Sequence, residues 1–212
     1  GNTSAWSAVD AASTSKLDRT PPAAPVASGG TGMSWSNAPT VTIAATSSDD
    51  RSGLALIRHR TRTDAGAYGA AATGASVDLA GEGVQETIWQ AEDAAGNTSS
   101  WTGPAPEGTA RLDHVAPEAS ALVATTTSPV GGEMGWSAAD ATSGVAGQDL
   151  ALNAAADGSA AGGWSTLATP AAAARTASID TTALAEGRHR ARLVVSDRAG
   201  NQATATAAQP VV

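Results

Sequence analysis

Proton transfer and nucleophilic attack usually enlist a histidine, and this chain offers three: His59, His114 and His189. His59 sits in an Arg-rich alternating stretch, His114 between two motif-bearing segments, and His189 just after a Glu-Gly pair. No Gly-x-Ser-x-Gly elbow, His-Glu-x-x-His pair or Lys-bearing phosphate loop accompanies them. Serine is common, but local pattern assembles no Ser–His–Asp set. The three histidines therefore read as surface or strand residues, and the expectation is no catalytic residue and no enzyme.

Carboxylates are the next candidates. Asp49 and Asp50 are adjacent, Asp18 and Asp113 each follow a leucine in Leu-Asp-x-x-x-Pro, and Asp93 and Asp197 each open Asp-x-Ala-Gly-Asn. As hard oxygen donors they suit Ca²⁺, which takes about six to eight oxygens. As turn residues, each can instead cap its own loop through local hydrogen bonds. The acids are sparser than in an Asp-x-Asp-x-Asp-Gly loop, and the expectation is no metal and no cofactor. The stretches RHRTR (58–62) and RHRAR (188–192) set alternate cations on one strand face. Such a face suits an anionic glycan, or it is simply solvated and deters edge-to-edge pairing. Among the tryptophans, Trp89 reads as core, while Trp6 and Trp101 read as covers for the ends of their sandwiches rather than as a glycan platform. Trp35, Trp136 and Trp164 have no position fixed by pattern.

These residues recur because the chain repeats itself. Residues 1–22 align with residues 96–117 without a gap, setting Trp6 on Trp101, Leu17 on Leu112, Asp18 on Asp113 and Pro22 on Pro117. Glu82–Asn97 aligns with Glu186–Asn201, and Asp49–Leu54 more loosely with Asp140–Val145. Each unit thus runs Leu-Asp-x-x-x-Pro, a D..SG[LV] loop, Glu-Gly, a strand, Asp-x-Ala-Gly-Asn and a final strand. The reading is an orphan last strand at residues 1–17, a first domain at 18–113 and a second at 114–212.

The segments between turn signals are short and alternate with period two. TVTIAA (Thr40–Ala45) sets Val41 and Ile43 on one face, ALIRHRTR sets its arginines on one side, and ARLVVSD aligns Ala191, Leu193 and Val195. SVDL and SID read as short strands before the Glu-Gly turns. Asp-x-Ala-Gly-Asn suits a tight hairpin, with Asp capping and Gly supplying φ > 0. Pro21, Pro22, Pro25 and Pro117 fall where one unit hands over to the next. ALNAAADGSAAGG and TPAAAA read as loop with one helical turn. Several short strands per unit indicate an all-β fold of tandem antiparallel immunoglobulin-like β-sandwiches.

D..SG[LV], the Glu-Gly strand ending in Asp-x-Ala-Gly-Asn, and [KR]LDxxxP together resemble bacterial immunoglobulin-like repeats, with a fibronectin type III character in GNTSSW. The second unit departs from the pattern in a longer, alanine-rich 136–176 region and a last strand without Leu-Asp-x-x-x-Pro. The resemblance implies a secreted or surface-displayed bacterial protein: an extracellular stalk or filament segment, or else an adhesin or carbohydrate-binding accessory module. Linker and hairpin aspartates resemble junction calcium sites of some surface-adhesin repeats, with turn capping explaining their repetition equally well.

Composition agrees with small cores and limits the partners. The 212 residues contain no Phe, one Tyr and six Trp, and much of the 42% apolar content is alanine. A net charge of −8 disfavours nucleic acid and anionic membrane surfaces as partners. There is no cysteine, hence no disulfide, and no apolar run long enough to insert in a membrane. The chain opens inside a motif that later lies mid-chain. Either it is cut from a longer tandem array, or residues 1–17 donate a strand to a neighbouring copy. The second unit's own last strand tips the reading toward the array.

Overall fold

Period-two alternation between turn signals has its expected consequence: among the described residues every regular element is a β-strand, apart from a 3-10 turn at Pro106–Gly108. The computed structural model describes residues 17–208 except 129, 130, 154, 156, 160, 162, 181, 183 and 184. The orphan strand expected at residues 1–17, with Trp6, lies outside the described residues apart from Leu17.

The first sandwich has eight strands: β1 (Val26–Ser28), β2 (Trp35–Ser36), β3 (Val41–Thr46), β4 (Leu54–Thr63), β5 (Ala72–Thr73), β6 (Ser76–Leu79), β7 (Gly83–Asp93) and β8 (Thr109–Leu112). They form a three-stranded sheet, β1-β3-β6, and a five-stranded sheet, β2-β8-β7-β4-β5. All pairings are antiparallel except β2 with β8. Alternation decides which side chains go inward: Ile43 and Ala45 from β3, Ile57 from β4, Trp89 and Ala91 from β7, Ala110 and Leu112 from β8. Trp89 fills the centre at 1% exposure. A buried indole N–H must be satisfied; here it donates to Thr87 Oγ1 at 3.0 Å, and Thr87 donates to the Gly108 carbonyl at 2.9 Å. A Cβ at Gly108 would stand 2.9 Å from that hydroxyl, so the 3-10 turn needs glycine there.

The second sandwich repeats the plan with β9 (Glu118–Ser128), β10 (Gly131–Ala139), β11 (Val145–Asn153), β12 (Trp164–Ala168), β13 (Thr176–Ile179), β14 (Ala191–Asp197) and β15 (Gln202–Thr206). Sheet β13-β10-β9 faces sheet β12-β11-β14-β15; the first corresponds to β6-β3-β1, and β12-β11-β14 to β5-β4-β7, with β15 aligned on residues 98–102. Its core gathers Leu122, Met134, Trp136, Leu150, Leu152, Ile179, Leu193 and Val195, sharing no residue with the first core. The fold is thus all-β, with antiparallel immunoglobulin-like sandwiches in tandem.

Two local expectations need correction. Ala151–Asn153 belongs to β11 rather than to a loop, because Leu152 is a core side chain at 1% exposure. The TPAAAA stretch takes a turn without helix, because its carbonyls are already engaged. Trp136 donates its indole N–H to Gln148 Oε1 at 2.6 Å, and Gln148 Nε2 faces the carbonyls of Ala171, Ala172 and Ala174 at 2.7–3.1 Å.

Candidate functional site

In each sandwich three aspartates from distant positions meet. One carboxylate oxygen from each of Asp18, Asp49 and Asp93 lies within 4.8 Å of the others, and Asp113, Asp140 and Asp197 repeat the arrangement. The local sequence explains each position. Asp49 and Asp140 open the D..SG loops and accept the N–H of Gly53 and Gly144, which hold φ of +85° and +82° that few other residues adopt. Asp93 accepts the N–H groups of Ala95 and Asn97 at 2.9 and 2.8 Å, and Asp197 those of Ala199, Gly200 and Asn201 at 2.7–2.9 Å. The linker aspartates close the ring: Asp18 takes the Ser52 N–H at 3.0 Å and Asp113 the Ser143 N–H at 3.1 Å.

An asparagine completes each cluster. Asn97 Nδ2 donates to Asp93 Oδ2 at 2.8 Å and to the Asp18 carbonyl at 3.3 Å; Asn201 Nδ2 donates to Asp197 Oδ2 and to the Asp113 carbonyl, both at 2.8 Å. Each hairpin therefore grips the segment that leads into its own sandwich. The Thr20 N–H first of all, with help from Ser52, holds the Asp18 carboxyl below its ordinary value. Burial pushes Asp93 up, but the Asn97 side chain and the N–H groups of Asn97 and Ala95 outweigh it, and the net shift is downward.

The donor atoms, all carboxylate oxygens, fit a hard dication such as Ca²⁺ rather than a metal preferring nitrogen or sulfur. Asp93, Asp113 and Asp197 are only 1%, 0% and 3% exposed. Among the described residues no ion pair joins any of the six aspartates to a basic side chain. N–H groups thus supply the visible compensation. Sequence singled out Asp18, Asp93, Asp113, Asp197 and the Asp49–Asp50 pair separately; Asp50 stays outside the cluster, and Asp140 was noted only as part of a motif. The motif order held the missing signal, because the same three aspartates precede or open the same three turns in both units.

The joint between the sandwiches is built on the second cluster. Asp113 immediately follows β8 and its N–H donates to the Ser36 carbonyl of the first sandwich at 3.1 Å, while its side chain and carbonyl bind Ser143 and Asn201 of the second. His114, the next residue, turns back to the first sandwich. Its N–H reaches the Glu82 carboxylate at 3.1 Å, Nδ1 lies 2.7 Å from Glu82 Oε1, and Nε2 lies 2.8 Å from the Ala38 carbonyl. Two acceptors facing two ring nitrogens favour the imidazolium, and the Ala38 carbonyl, then Glu82, raise the His114 pKa. Trp35 and Glu82 face Ala141 and Thr142 across a narrow cleft beside this contact.

The arginine stripe of β4 faces outward, away from Ile57 and His59, and is occupied internally. Arg58 pairs with Glu92 at 2.5 Å and Arg62 with Glu86 at 2.6 Å. Guanidinium groups also cover aromatic rings: Arg60 over Trp101 at 4.5 Å, Arg62 over Tyr68 at 4.6 Å, Arg111 over Trp35 at 5.9 Å, and Arg192 over Trp164 at 4.6 Å. Trp101 therefore lies on the outer face of the five-stranded sheet rather than covering the end of the sandwich, because Arg60 holds it there. Trp136 is core, at 7% exposure.

Of the histidines, His59 packs against Trp89 with ring centroids 5.3 Å apart. His189 is not a surface residue: it is 2% exposed, with Nδ1 2.8 Å from the Asn153 carbonyl and Nε2 2.9 Å from that of Ala185. Its carbonyl partners come from backbone stretches that no side-chain pattern marks.

No protein-family model and no curated protein matches the chain. Among solved structures, the fibronectin(III)-like modules of Clostridium thermocellum CbhA match at 11% identity and a TM-score of 0.37, over 85% of this chain and 88% of that one. The fold assignment rests on the strand order and the two cores.

Proposed function

We propose that the chain is a non-enzymatic structural repeat, part of a rod-like stalk or filament displayed outside a bacterial cell, where its partners are neighbouring copies or repeats of the same protein. The observation that carries this reading is the joint: adjacent residues Asp113 and His114 are bound to opposite sandwiches, leaving no slack chain between them. A tether for a mobile catalytic or binding module needs free linker residues; a spacer needs their absence. The repeat resemblance supports the extracellular, bacterial setting. The half-buried Trp35, Trp101 and Trp164 each carry a guanidinium over the ring, which disfavours a glycan platform.

Small-angle X-ray scattering of the full chain tests the reading. Two ~100-residue sandwiches, each roughly 35–40 Å long, laid end to end predict one extended particle with a maximum dimension of about 70–80 Å. A broad distribution of interdomain arrangements would remove the basis for a spacer.

A further inference from the structure

The outer faces of the five-stranded and four-stranded sheets differ at positions that the repeat sets side by side. Continued along β4 and β11, the alignment of Asp49–Leu54 with Asp140–Val145 sets Leu56 on Gly147 and Arg58 on Asp149. The alignment of Glu82–Asn97 with Glu186–Asn201 sets Glu92 on Ser196 and Gln90 on Val194. Strand register agrees. Leu56 stands opposite Glu92 and Arg58 opposite Gln90, just as Gly147 stands opposite Ser196 and Asp149 opposite Val194. In the first sandwich the patch is closed by its own charges, with Arg58 bound to Glu92. The second sandwich has an acid and a hydroxyl in place of that pair, and glycine in place of the neighbouring leucine.

A cleft of about 440 Å³ opens there, lined by Gly147, Asp149, Pro170, Val194, Ser196 and Gln202. Glycine keeps it open, since a Cβ at position 147 would already stand 3.2 Å from Ser196 Oγ. Asp149 has no counter-charge within it. Its Oδ2 accepts a hydrogen bond from Thr166 Oγ1 at 3.3 Å, while Oδ1 is buried with no hydrogen-bond partner among the described residues. No ion pair among those residues reaches this carboxylate either. A carboxylate oxygen withdrawn from water without a partner is destabilising, and a donor that enters the cleft removes that cost.

We infer that this cleft binds an arginine side chain presented by another polypeptide, whose guanidinium pairs with Asp149 where the first sandwich uses its own Arg58 and Glu92. The inference goes beyond the spacer reading and stands independently of it. The χ2 torsion of an aspartate is broad, so Oδ1 can turn to meet the occupant. A planar guanidinium donates two parallel N–H groups to one carboxylate and keeps others for the Ser196 hydroxyl and the Gln202 amide oxygen; an ammonium lacks that fork. Val194 and Pro170 supply apolar surface for the guanidinium plane. Elsewhere on these two sheets the planes of Arg60, Arg62 and Arg192 are likewise covered, there by aromatic rings.

An NMR titration of the isotope-labelled full chain with N-acetyl-arginine amide tests it, with the uncharged isostere N-acetyl-citrulline amide alongside. The arginine probe should shift the backbone amides of Gly147, Asp149, Val194 and Ser196 saturably. The citrulline probe should bind about tenfold more weakly, as expected for loss of a charge-assisted pair. Asp149→Asn, which keeps the side-chain shape, should weaken the arginine probe by a similar factor. Asp50→Asn, which removes an exposed acid outside the cleft, should leave it unchanged. Asp149→Arg with Ser196→Glu installs the pair of the first sandwich and should abolish binding. A melting curve confirms that each variant is folded, and the comparison of the two probes needs no variant at all. No shift at the cleft, shifts spread over the exposed acids of a chain of net charge −8, equal binding of citrulline, or full binding by folded Asp149→Asn overturns the inference.

Discussion

Asn201 donates to the backbone carbonyl of Asp113 at 2.8 Å, and Asn97 does the same to Asp18 at 3.3 Å. One amide in each sandwich thus ties the last hairpin to the segment leading in. The other acceptor of the same amide is the aspartate that shapes the hairpin, so the turn and the joint share a single side chain.

Replacing that amide should therefore cost both functions at once. Asn201→Ala should destabilise the second sandwich by about 1–2 kcal/mol, from two lost hydrogen bonds of ordinary strength. Asn201→Asp should be worse than Asn201→Ala, because it sets a fourth carboxylate against Asp197. Urea unfolding followed by tryptophan fluorescence measures the order, and an Asp variant as stable as the Ala variant would contradict it.

Calcium should stabilise the chain. Three carboxylates within 4.8 Å, with no ion pair to a basic side chain among the described residues, leave like charges facing one another, and a hard dication relieves that repulsion. The melting temperature should rise on adding millimolar CaCl₂, return with EDTA, and respond less in Asp49→Asn and least in Asp49→Asn with Asp140→Asn. Equal melting in CaCl₂ and EDTA would show that N–H groups suffice.

Arg60 and Trp101 should be coupled. With the guanidinium 4.5 Å from the ring centroid, a double-mutant cycle with Arg60→Ala and Trp101→Ala should give a coupling energy of roughly 0.5–1 kcal/mol. Additive losses would mean that the stack contributes only separate packing.

His114 should stiffen the joint without holding either core. His114→Ala removes contacts to Glu82 and Ala38 that lie outside both clusters of buried apolar residues. Melting should change little, while scattering should show a wider spread of interdomain arrangements. A variant as rigid as the parent would shift the whole joint onto Asp113.

Much of the fold was legible because alternation is a local signal. Val41–Ala45, Leu54–Arg62 and Ala191–Asp197 announce which side chains go inward, and each does so in the structure. The aspartate clusters were only half legible: the turns could be read one by one, but their convergence depends on three loops meeting across a sandwich. The alanine-rich stretch reads as loop with one helical turn, and the turn in TPAAAA is not helical because two side chains, Gln148 and Arg175, take the carbonyls of Ala171, Ala172 and Ala174. Nor does any repeat predict that the central indole comes from β7 in one sandwich and β10 in the other, where Trp89 aligns with Leu193.

Leu112, Asp113 and His114 follow one another with no spacer, the first buried in one sandwich and the second latched to the next. The border between units is thus not a place but an overlap of obligations on consecutive codons. If such units stand in a longer array, as proposed above, unequal crossing-over between copies must stay in phase, since an exchange displaced by a few codons would orphan a core leucine on one side and a latch on the other. In such an array copy number can drift; phase cannot.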